Sequence, residues 1–451
     1  MKLHIKNRIS KVLVTFMSSV LILGTLSTPA MAAGSKKAKN DTEKPVVSKV
    51  DTNGYRLDKV VVLSRHNVRA PLSTNGSILT QLTPHKWINW SAAGSELTSH
   101  GGVLETEMGQ YYRKYLVKEH LFTENERPKN GVLFYANSMQ RCIATAQYFS
   151  SGFLPVANSR IVYKNQFNTM DPVFSPQLTF VNPAFEKRVS TEISAMGGKK
   201  GFNGIEKNLE PDYKLMAKVL DLKKSKIAKE KGYTKFPTND LKINFSVNKE
   251  PNCNGSSLQV ANSASDALIL QYYETPNATR AAFGHKLTYK QWEQLAHIKD
   301  VYGDVLFAAP SMAENVTHPL LQEIKHDLND SDKFTFLCGH DSNICSVLAA
   351  LDTKKYNLPY SIEKKTPIGG NILMEVWQNK KGQKFITMKY VYFSVRELRH
   401  LSDLDLKNPP MVYDLTLNGE KKNKDGMYHY NDVINRFDQS INAYNPLKDL
   451  K

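Results

Sequence analysis

Residues 60–71 have the sequence VVVLSRHNVRAP, in which a buried strand leads into a positively charged loop. The four apolar residues at its start predict the strand, and the proline at its end marks the loop. His66 therefore lies at a strand end, with Arg65 and Arg69 on either side. Arginine forks bind phosphate oxygens in pairs and stay charged at any useful pH. Their repulsion disfavours imidazolium, so we expect His66 to remain neutral and able to attack phosphorus in acid.

His66 and its arginines alone would also fit an ordinary basic loop, so the rest of the chain must decide between such a loop and a phosphate-binding site. Residues 334–338 predict a second strand, which is followed by Gly-His-Asp at residues 339–341 and then by an apolar helix. Release of a sugar alcohol from a phosphate ester needs an acid that protonates the leaving oxygen, and Asp341 is suited to that task. The alternative is that Asp341 only caps the helix and that His340 is a turn residue.

A third strand-to-helix junction contributes another cation. Residues 132–136 predict a strand, and the helix that follows carries Arg141 in its first turn. Cations are disfavoured at this end of a helix, because the exposed amides already give it partial positive charge. An arginine there is explained if an anion binds between it and the amides; otherwise it is an ordinary surface residue.

Together, the three junctions resemble the histidine acid phosphatases. The pattern of that family is R-H-x-x-R-x-P near the N-terminus and a later H-D, and both stand intact in this chain. Asn67 takes the place of the glycine that most members have after the histidine, which is similar to the bacterial glucose-1-phosphatase branch. The resemblance runs from about residue 58 to the C-terminal region and is weakest between about 185 and 255. It rests on these stretches: 63–76 (LSRHNVRAPLSTNG), 97–105 (LTSHGGVLE), 135–147 (YANSMQRCIATAQ), 169–174 (TMDPVF), 270–274 (LQYYE), 339–344 (GHDSNI) and 366–370 (TPIGG).

This resemblance implies a role for each matching residue. His66 would be the nucleophile that forms a phosphohistidine, and Asp341 would be the acid for the leaving group. Glu274 would stand near the substrate entrance, although it fits a solvated residue at a helix end equally well. No metal or other cofactor is implied, because arginines and a histidine supply the charge that metal ions supply elsewhere. Four side chains would hold the phosphoryl oxygens: Arg65, Arg69, Arg141 and His340.

Two classes of function remain compatible with a phosphate-binding site of this kind, and a third lacks the ligands it needs. A phosphomonoesterase needs both His66 and Asp341, whereas a non-catalytic phosphoanion-binding protein would keep the arginines and lose one of the two. A metal-dependent phosphatase would need acidic ligand clusters that the sequence lacks. The retained pair therefore favours the enzyme. Asn67 and the stretch that ends at Glu274 favour a glucose-1-phosphatase, and a phytase-type activity on inositol polyphosphate is the alternative.

The order of strand and helix signals predicts an α/β sandwich with a largely parallel sheet. Ligand sites in such sheets lie beyond the carboxyl ends of strands, which is where all three junctions lie. Residues 51–165 are expected to form the first part of this core and residues 301–451 the second. Between them, residues 166–300 are mostly helical and polar, and we expect a helical insertion domain that covers the site as a lid. Its lysine-rich segment, residues 220–231, is typical of a solvated helix face.

Two alternating segments predict a hairpin at the edge of the sheet. They are residues 371–377 and 385–394, and the turn between them is Asn379-Lys380-Lys381-Gly382. A glycine in a short polar turn between alternating segments is typical of a hairpin.

The N-terminus has the features of a cleavable secretory signal peptide. Four cations within residues 2–11 precede the apolar stretch 12–26, and Ala30-Met31-Ala32 is a small-x-small cleavage site. No second apolar span and no stop-transfer charges follow, so we expect residues 1–32 to be removed rather than to anchor the protein. Residues 33–50 would then be a flexible N-terminus, and the enzyme would be periplasmic or secreted.

The net charge of +17 marks a strongly basic protein. It suits an anionic small-molecule substrate through electrostatic steering. Nucleic acid is not indicated, because no basic motif with interleaved aromatics and no zinc-ligand spacing is present. We expect a monomer or homodimer whose partner is a small phosphomonoester.

The cysteines depart from the resemblance, since exported relatives carry several disulfides. No disulfide framework is indicated by the spacing of the four residues, Cys142, Cys253, Cys338 and Cys345. We expect Cys142, Cys338 and Cys345 to be small buried thiols, and a single bridge is the alternative.

Overall fold

The strand that leads into His66 lies in the middle of a mixed sheet. The computed structural model describes residues 44–72, 77–128, 130–155 and 158–450. The strands within these ranges are β1 Tyr55–Arg65, β2 Val132–Ala136, β3 Ile161–Val162, β4 Phe334–Gly339, β5 Asn371–Asn379, β6 Lys384–Tyr392, β7 Met411–Asp414 and β8 Tyr428–His429. They form one sheet in the order β3-β2-β4-β1-β5-β6-β7, and β8 pairs with β6.

The half of the sheet around β4 is parallel. Both β1 and β2 pair with β4, and Val60 and Val132 stand opposite Phe334 on its two sides. Parallel strands point their carboxyl ends to the same edge of a sheet, where ligands bind. The three predicted junctions therefore meet at one edge.

The other half of the sheet is antiparallel. β5 pairs with β1, β6 pairs with β5, and β7 and β8 both pair with β6, all in the antiparallel direction. The predicted α/β class is confirmed. Parallel pairing is confined to β1–β4, however, so the sheet is mixed rather than largely parallel.

The predicted hairpin exists as β5 and β6, but it lies inside the sheet rather than at its edge. Its turn is confirmed, since Gly382 has φ +78° and its N–H donates to the Asn379 carbonyl at 3.0 Å. Polar residues of the alternating pattern are buried together. Lys389 Nζ lies 2.7 Å from a Glu375 carboxylate oxygen, and the Thr387 hydroxyl donates to the same oxygen. A buried ion pair whose groups are hydrogen-bonded thus produces the same alternation of polar and apolar residues as an edge strand with one face in solvent.

Helices cover both faces of the sheet. Along β1, Val60 and Val62 point into one apolar core, and Val61 and Leu63 point into the other, as the alternation of a strand requires. The helices are α1 Ile78–Gln81, α2 Ser99–Lys118, α3 Gln140–Phe153, α4 Pro183–Met196, α5 Phe202–Asn208, α6 Glu210–Val219, α7 Lys226–Lys231, α8 Ser257–Glu274, α9 Ala278–Ala281, α10 Tyr289–Phe307, α11 Pro310–Val316, α12 His318–Asn329, α13 Asp341–Ala350, α14 Val395–His400 and α15 Tyr430–Lys448.

The chain between β3 and β4 is helical, as predicted for the insertion. It contains α4–α12. The predicted boundary at residue 300 falls inside α10, which continues to Phe307. The next two helices belong with the core, since α11 packs against α13 and α12 against α15. In the lysine-rich segment the lysines of α7 are exposed while Ile227 is buried, as in a solvated helix face.

The predicted signal peptide and most of the predicted flexible N-terminus lie outside the described residues. The flexibility of residues 46–50 stays a prediction, although this segment contributes hydrogen bonds to the sheet. The Val46 carbonyl accepts from Val412 N at 2.7 Å, and Ser48 Oγ donates to Asp414 at 2.6 Å. Across the described ranges, no helix is both long and apolar enough to cross a membrane.

Candidate active site

The strand ends at the parallel edge surround a cavity of about 260 Å³. Helices α8 and α10 of the insertion close its other side, so the cavity lies between the core and the insertion. The predicted site residues that line it are His66, Arg69, Arg141, His340 and Asp341. Arg65 and Glu274 lie elsewhere.

The loop that carries His66 is held in place by the N-terminus of α2. Thr98 caps this helix, and its N–H donates to the Val68 carbonyl at 3.0 Å. Gly101 lies so close to the loop that a Cβ there would be 2.3 Å from the same carbonyl oxygen. The small residue is therefore required by the close approach of α2 to the loop.

His66 is buried, with 2% of its surface exposed, and its Nδ1 lies 2.9 Å from the Asn67 carbonyl oxygen. Since a carbonyl oxygen only accepts, Nδ1 carries the hydrogen and Nε2 keeps the lone pair. Burial lowers the pKa of His66 well below its usual value, and Arg141 and Arg69 lower it further. Both effects favour the expected neutral imidazole, and burial is the larger of the two.

Three buried arginines surround His66, and in the described part of the chain each has one N–H group without a hydrogen-bond acceptor. The Nε–H groups of Arg65, Arg69 and Arg141 find no hydrogen-bond partner among the described residues. Buried donors of this kind cost free energy unless a ligand or water satisfies them. Asp266 offsets one of the charges, at 3.0 Å from Arg69. The cluster is suited to an oxyanion such as phosphate.

Arg65 occupies a different position from the other two arginines. It is 1% exposed, and its NH1 donates to Glu363 at 2.8 Å and to the Thr366 carbonyl. Its NH2 lies 3.4 Å from Asp341. Arg65 therefore stands behind the cavity wall, where it holds Asp341. Its direct contact with phosphoryl oxygens stays a prediction.

His340 is oriented by Asn137, which follows β2. The Asn137 Oδ1 accepts from Asp171 N at 3.0 Å, so its Nδ2 faces His340 and donates to Nε2 at 2.7 Å. The hydrogen of the His340 ring is thus on Nδ1, 3.5 Å from an Arg141 nitrogen. Both groups present donors to the same part of the cavity, as phosphate binding requires.

Asp341 is the first residue of α13, and the N-cap of that helix is His340. The alternative that Asp341 only caps the helix is therefore wrong. Its Oδ2 lies 2.7 Å from Lys299 Nζ, and Arg65 adds a second cation. The buried surroundings alone would raise the pKa of Asp341, but Lys299 and Arg65 overcome this effect and hold it well below its usual value.

Lys299, Glu363 and Asp266 are site residues that the sequence did not reveal. Lys299 Nζ lies 3.3 Å from Glu363 and 3.8 Å from Asp266, which links both acids to Asp341. Glu363 lies three residues before the TPIGG stretch, which is the signal that could have found it. Lys299 lies in a helix without a motif, and Asp266 lies in α8, four residues before the LQYYE stretch.

Glu274 ends α8, where its carboxylate accepts from Thr98 Oγ1 at 3.0 Å. Burial raises its pKa, while His100 and Thr98 lower it by a smaller amount. The side chain is half-buried beside the cap of α2 and does not line the cavity. Glu250 does line it, from an exposed position in the insertion. The role of Glu274 near the substrate entrance stays a prediction.

All four cysteines are free thiols, so burial as a thiol is confirmed for Cys142 and Cys338, whereas the predicted full burial of Cys345 is wrong. Cys142 and Cys338 are fully buried, and Cys345 is half-buried at the cavity. Cys142 Sγ lies 3.8 Å from the His340 ring nitrogens. A thiol at this distance packs under the ring and leaves its Nδ1 hydrogen available.

A neutral buried imidazole among arginine donors, beside a carboxylate, is the arrangement of a phosphatase that uses a histidine. The sequence profile described as "Histidine phosphatase superfamily (branch 2)" matches residues 56–395, and the chain belongs to this family. The protein is accordingly an acid phosphomonoesterase, which confirms the predicted resemblance and enzyme class.

Relatives with established names identify the branch. Glucose-1-phosphatase from Salmonella typhimurium is 37% identical over 88% of this chain and 95% of its own length. Glucose-1-phosphatase from Providencia rettgeri is 36% identical over 83% and 90%. The predicted branch is thereby confirmed. The solved Hafnia alvei phytase in complex with myo-inositol hexakis sulphate, at 24% identity, has a TM-score of 0.77 over 88% of this chain and 100% of its own, which shows the common fold.

Proposed function

We propose that the protein is an exported phosphatase that hydrolyses a compact sugar phosphate, as a glucose-1-phosphatase does, through a phosphohistidine. The observation that carries the proposal is a neutral, buried His66 surrounded by arginine donors without acceptors. A nucleophile for phosphorus must keep its lone pair while cations hold the phosphate beside it. The non-catalytic alternative would keep the arginines, but it gives no reason for the carboxylate of Asp341 at the cavity.

The first half-reaction would transfer the phosphoryl group to His66. Donors from Arg69, Arg141 and His340 hold the non-bridging oxygens and offset the charge that develops on them. The lone pair of His66 Nε2 forms the N–P bond while the ester P–O bond breaks. Asp341 passes a proton to the leaving oxygen. Asp341 then takes a proton from the water that attacks the phosphohistidine, which frees phosphate and restores the imidazole.

The walls of the cavity support a compact substrate. Its volume of about 260 Å³ is small, since sites for small molecules commonly span about 300–1,000 Å³. Glu250 and Asp266 add carboxylates to the lining. A carboxylate near the entrance repels additional phosphates and can accept hydrogen bonds from sugar hydroxyls. We propose that Glu274, which lies beside α2, also repels additional phosphates and accepts hydrogen bonds from sugar hydroxyls.

Phytase activity is the second candidate, because the solved Hafnia alvei phytase has the same fold. The test is a comparison of kcat/KM for glucose 1-phosphate, inositol hexakisphosphate and an aryl phosphate, with EDTA present. We expect the sugar phosphate to be preferred over the inositol phosphate, and turnover to persist in EDTA. A preference for inositol hexakisphosphate would reverse the substrate assignment, and loss of all turnover in EDTA would contradict the metal-free mechanism.

Export is proposed from the leader-like sequence of residues 1–32. N-terminal sequencing of the protein recovered from outside the cytoplasm tests it. We expect the mature chain to begin just after Ala32, and recovery of an uncleaved chain from the cytoplasm would refute export.

A further inference from the structure

Lys299 is a buried cation to which the reaction outlined above assigns no role. It lies in α10, lines the cavity and has 8% of its surface exposed. Its Nζ is 2.7 Å from Asp341, 3.3 Å from Glu363 and 3.8 Å from Asp266. Three carboxylates therefore share one ammonium group that comes from the insertion.

A buried ion network of this kind can be purely structural. Two observations indicate that the role of Lys299 is not purely structural. It faces the cavity, and it shares Asp341 with Arg65, whose NH2 lies 3.4 Å from the same carboxylate oxygen. Two cations in contact with one carboxylate favour its ionised form. The side chain that must give a proton to the leaving oxygen is thus ionised in the empty enzyme.

The other groups around Asp341 do not reverse this balance. Glu363 is itself paired with Arg65, and Asp266 with Arg69, so neither acid adds an uncompensated negative charge. The remaining titratable groups that face Asp341 are Arg141, His66, His340, Glu250, Tyr302, Tyr390 and Cys345. Among these, Glu250 is the single carboxylate, and it lies in an exposed position.

We propose that Lys299 is a positioning residue for the leaving-group step, which keeps Asp341 ionised so that the required proton enters on the phosphate group of the substrate. The proposal rests on the function proposed above. The substrate binds as its monoanion, and its P–OH group passes the proton to the Asp341 carboxylate. Asp341 then gives that proton to the bridging oxygen as the N–P bond to His66 forms and the P–O bond breaks. The products of this step are a neutral alcohol, a phosphohistidine and an ionised Asp341.

Through Lys299, the insertion contributes to the proton transfer at Asp341. Lys299 belongs to α10, whereas Asp341 begins α13 of the core, and the two helices pack against each other. The ammonium reaches the carboxylate only because this packing holds. A proton held jointly by Asp341 and the bound phosphate is therefore tuned by the position of the insertion.

The test compares the pH dependence of kcat for the wild type with that for Lys299→Met and Lys299→Gln, on a sugar phosphate and on an aryl phosphate. Removal of the positive charge raises the proton affinity of the Asp341–phosphate pair. We expect the alkaline limb of kcat for the sugar phosphate to move to higher pH by about one unit. The limb for the aryl phosphate should stay in place, because its leaving group needs no proton. Gln keeps a hydrogen-bond donor without the charge, so it tests the same point if the Met variant does not fold.

Two control variants define the result. Lys299→Arg retains the charge and should keep the wild-type limb, and Lys290→Met, at an exposed position of the same helix, should change nothing. An unmoved limb in both neutral variants, with a uniform loss of rate, would assign Lys299 a structural role alone. A limb that moves equally for both substrates would place the effect on His66 instead. If the proposed function itself fails, the wild-type protein will show no turnover that depends on a phosphohistidine. This outcome is distinct from every result with the Lys299 variants.

Discussion

Replacement of Glu363 by Gln should destabilise the protein in a manner that depends on pH. The carboxylate is 2% exposed and lies 2.8 Å from Arg65 and 3.3 Å from Lys299. It also accepts from Ile368 N at 3.1 Å and from the Tyr273 hydroxyl at 3.2 Å. Gln keeps the volume and one acceptor, but it leaves two buried cations without their shared carboxylate.

The expected loss of unfolding free energy at neutral pH is about 3 kcal/mol, at the lower end of the range for breaking a buried ion pair. Burial alone raises the pKa of Glu363, but Arg65 and Lys299 overcome this effect and lower it below its usual value. The stability from this group is therefore fully present above its unfolded-state pKa. It is lost as pH falls through the lower folded-state pKa.

The assay is urea denaturation of the wild type and Glu363→Gln, at about pH 7 and again at about pH 3. We expect the difference between the two proteins to shrink at the lower pH. Glu230→Gln is the matched control, because Glu230 has an exposed side chain 3.8 Å from Lys226 and should not change the denaturation midpoint. A constant difference at both pH values would show that the charge of Glu363 is not what stabilises the fold.

Further predictions concern the chemistry. His66→Ala should abolish turnover and the phosphoenzyme trapped by an alkaline quench, and full activity would exclude His66 as the nucleophile. Asp341→Asn should slow sugar-phosphate turnover by roughly two to four decades and aryl-phosphate turnover less; equal losses would mean that Asp341 transfers no proton. Glu250→Gln and Glu274→Gln should each shift relative kcat/KM toward inositol hexakisphosphate on the order of fivefold, and an unmoved ratio would place that residue outside the site.

Local sequence signals were sufficient for β1, β2, β4, β5 and β6, but not for the three short strands β3, β7 and β8 or for the order of the sheet. The apolar runs 60–63, 132–136 and 334–338 predicted β1, β2 and β4 because a buried strand is visible in its own residues. The antiparallel half depends on pairing between distant segments, such as β1 with β5. Alternation along β5 and β6 could not distinguish solvent from the buried pair of Glu375 and Lys389.

Local sequence signals likewise predicted some residues of the site but not those that depend on tertiary packing. His66, Arg141 and His340 could be predicted because each follows a strand of the parallel half, and topology brings such positions together. Lys299 and Glu250 come from the insertion, where nothing in the local sequence indicates which helix face or loop turns toward the core. Their roles depend on tertiary packing, which a single sequence does not display.

Asn67 shows why the branch and the substrate must be argued separately. It was one of the two features that favoured a glucose-1-phosphatase, yet its side chain is fully buried and does not line the cavity. Its Nδ2 donates to Glu105 at 2.8 Å, and burial raises the pKa of Glu105 to about 8. Gly369 packs so closely that a Cβ there would be 2.5 Å from Asn67 Nδ2. Asn67 therefore shapes the loop that carries His66 without facing the cavity. Selectivity must come from residues that face the cavity, and Glu250 lies in the segment where the family resemblance is weakest.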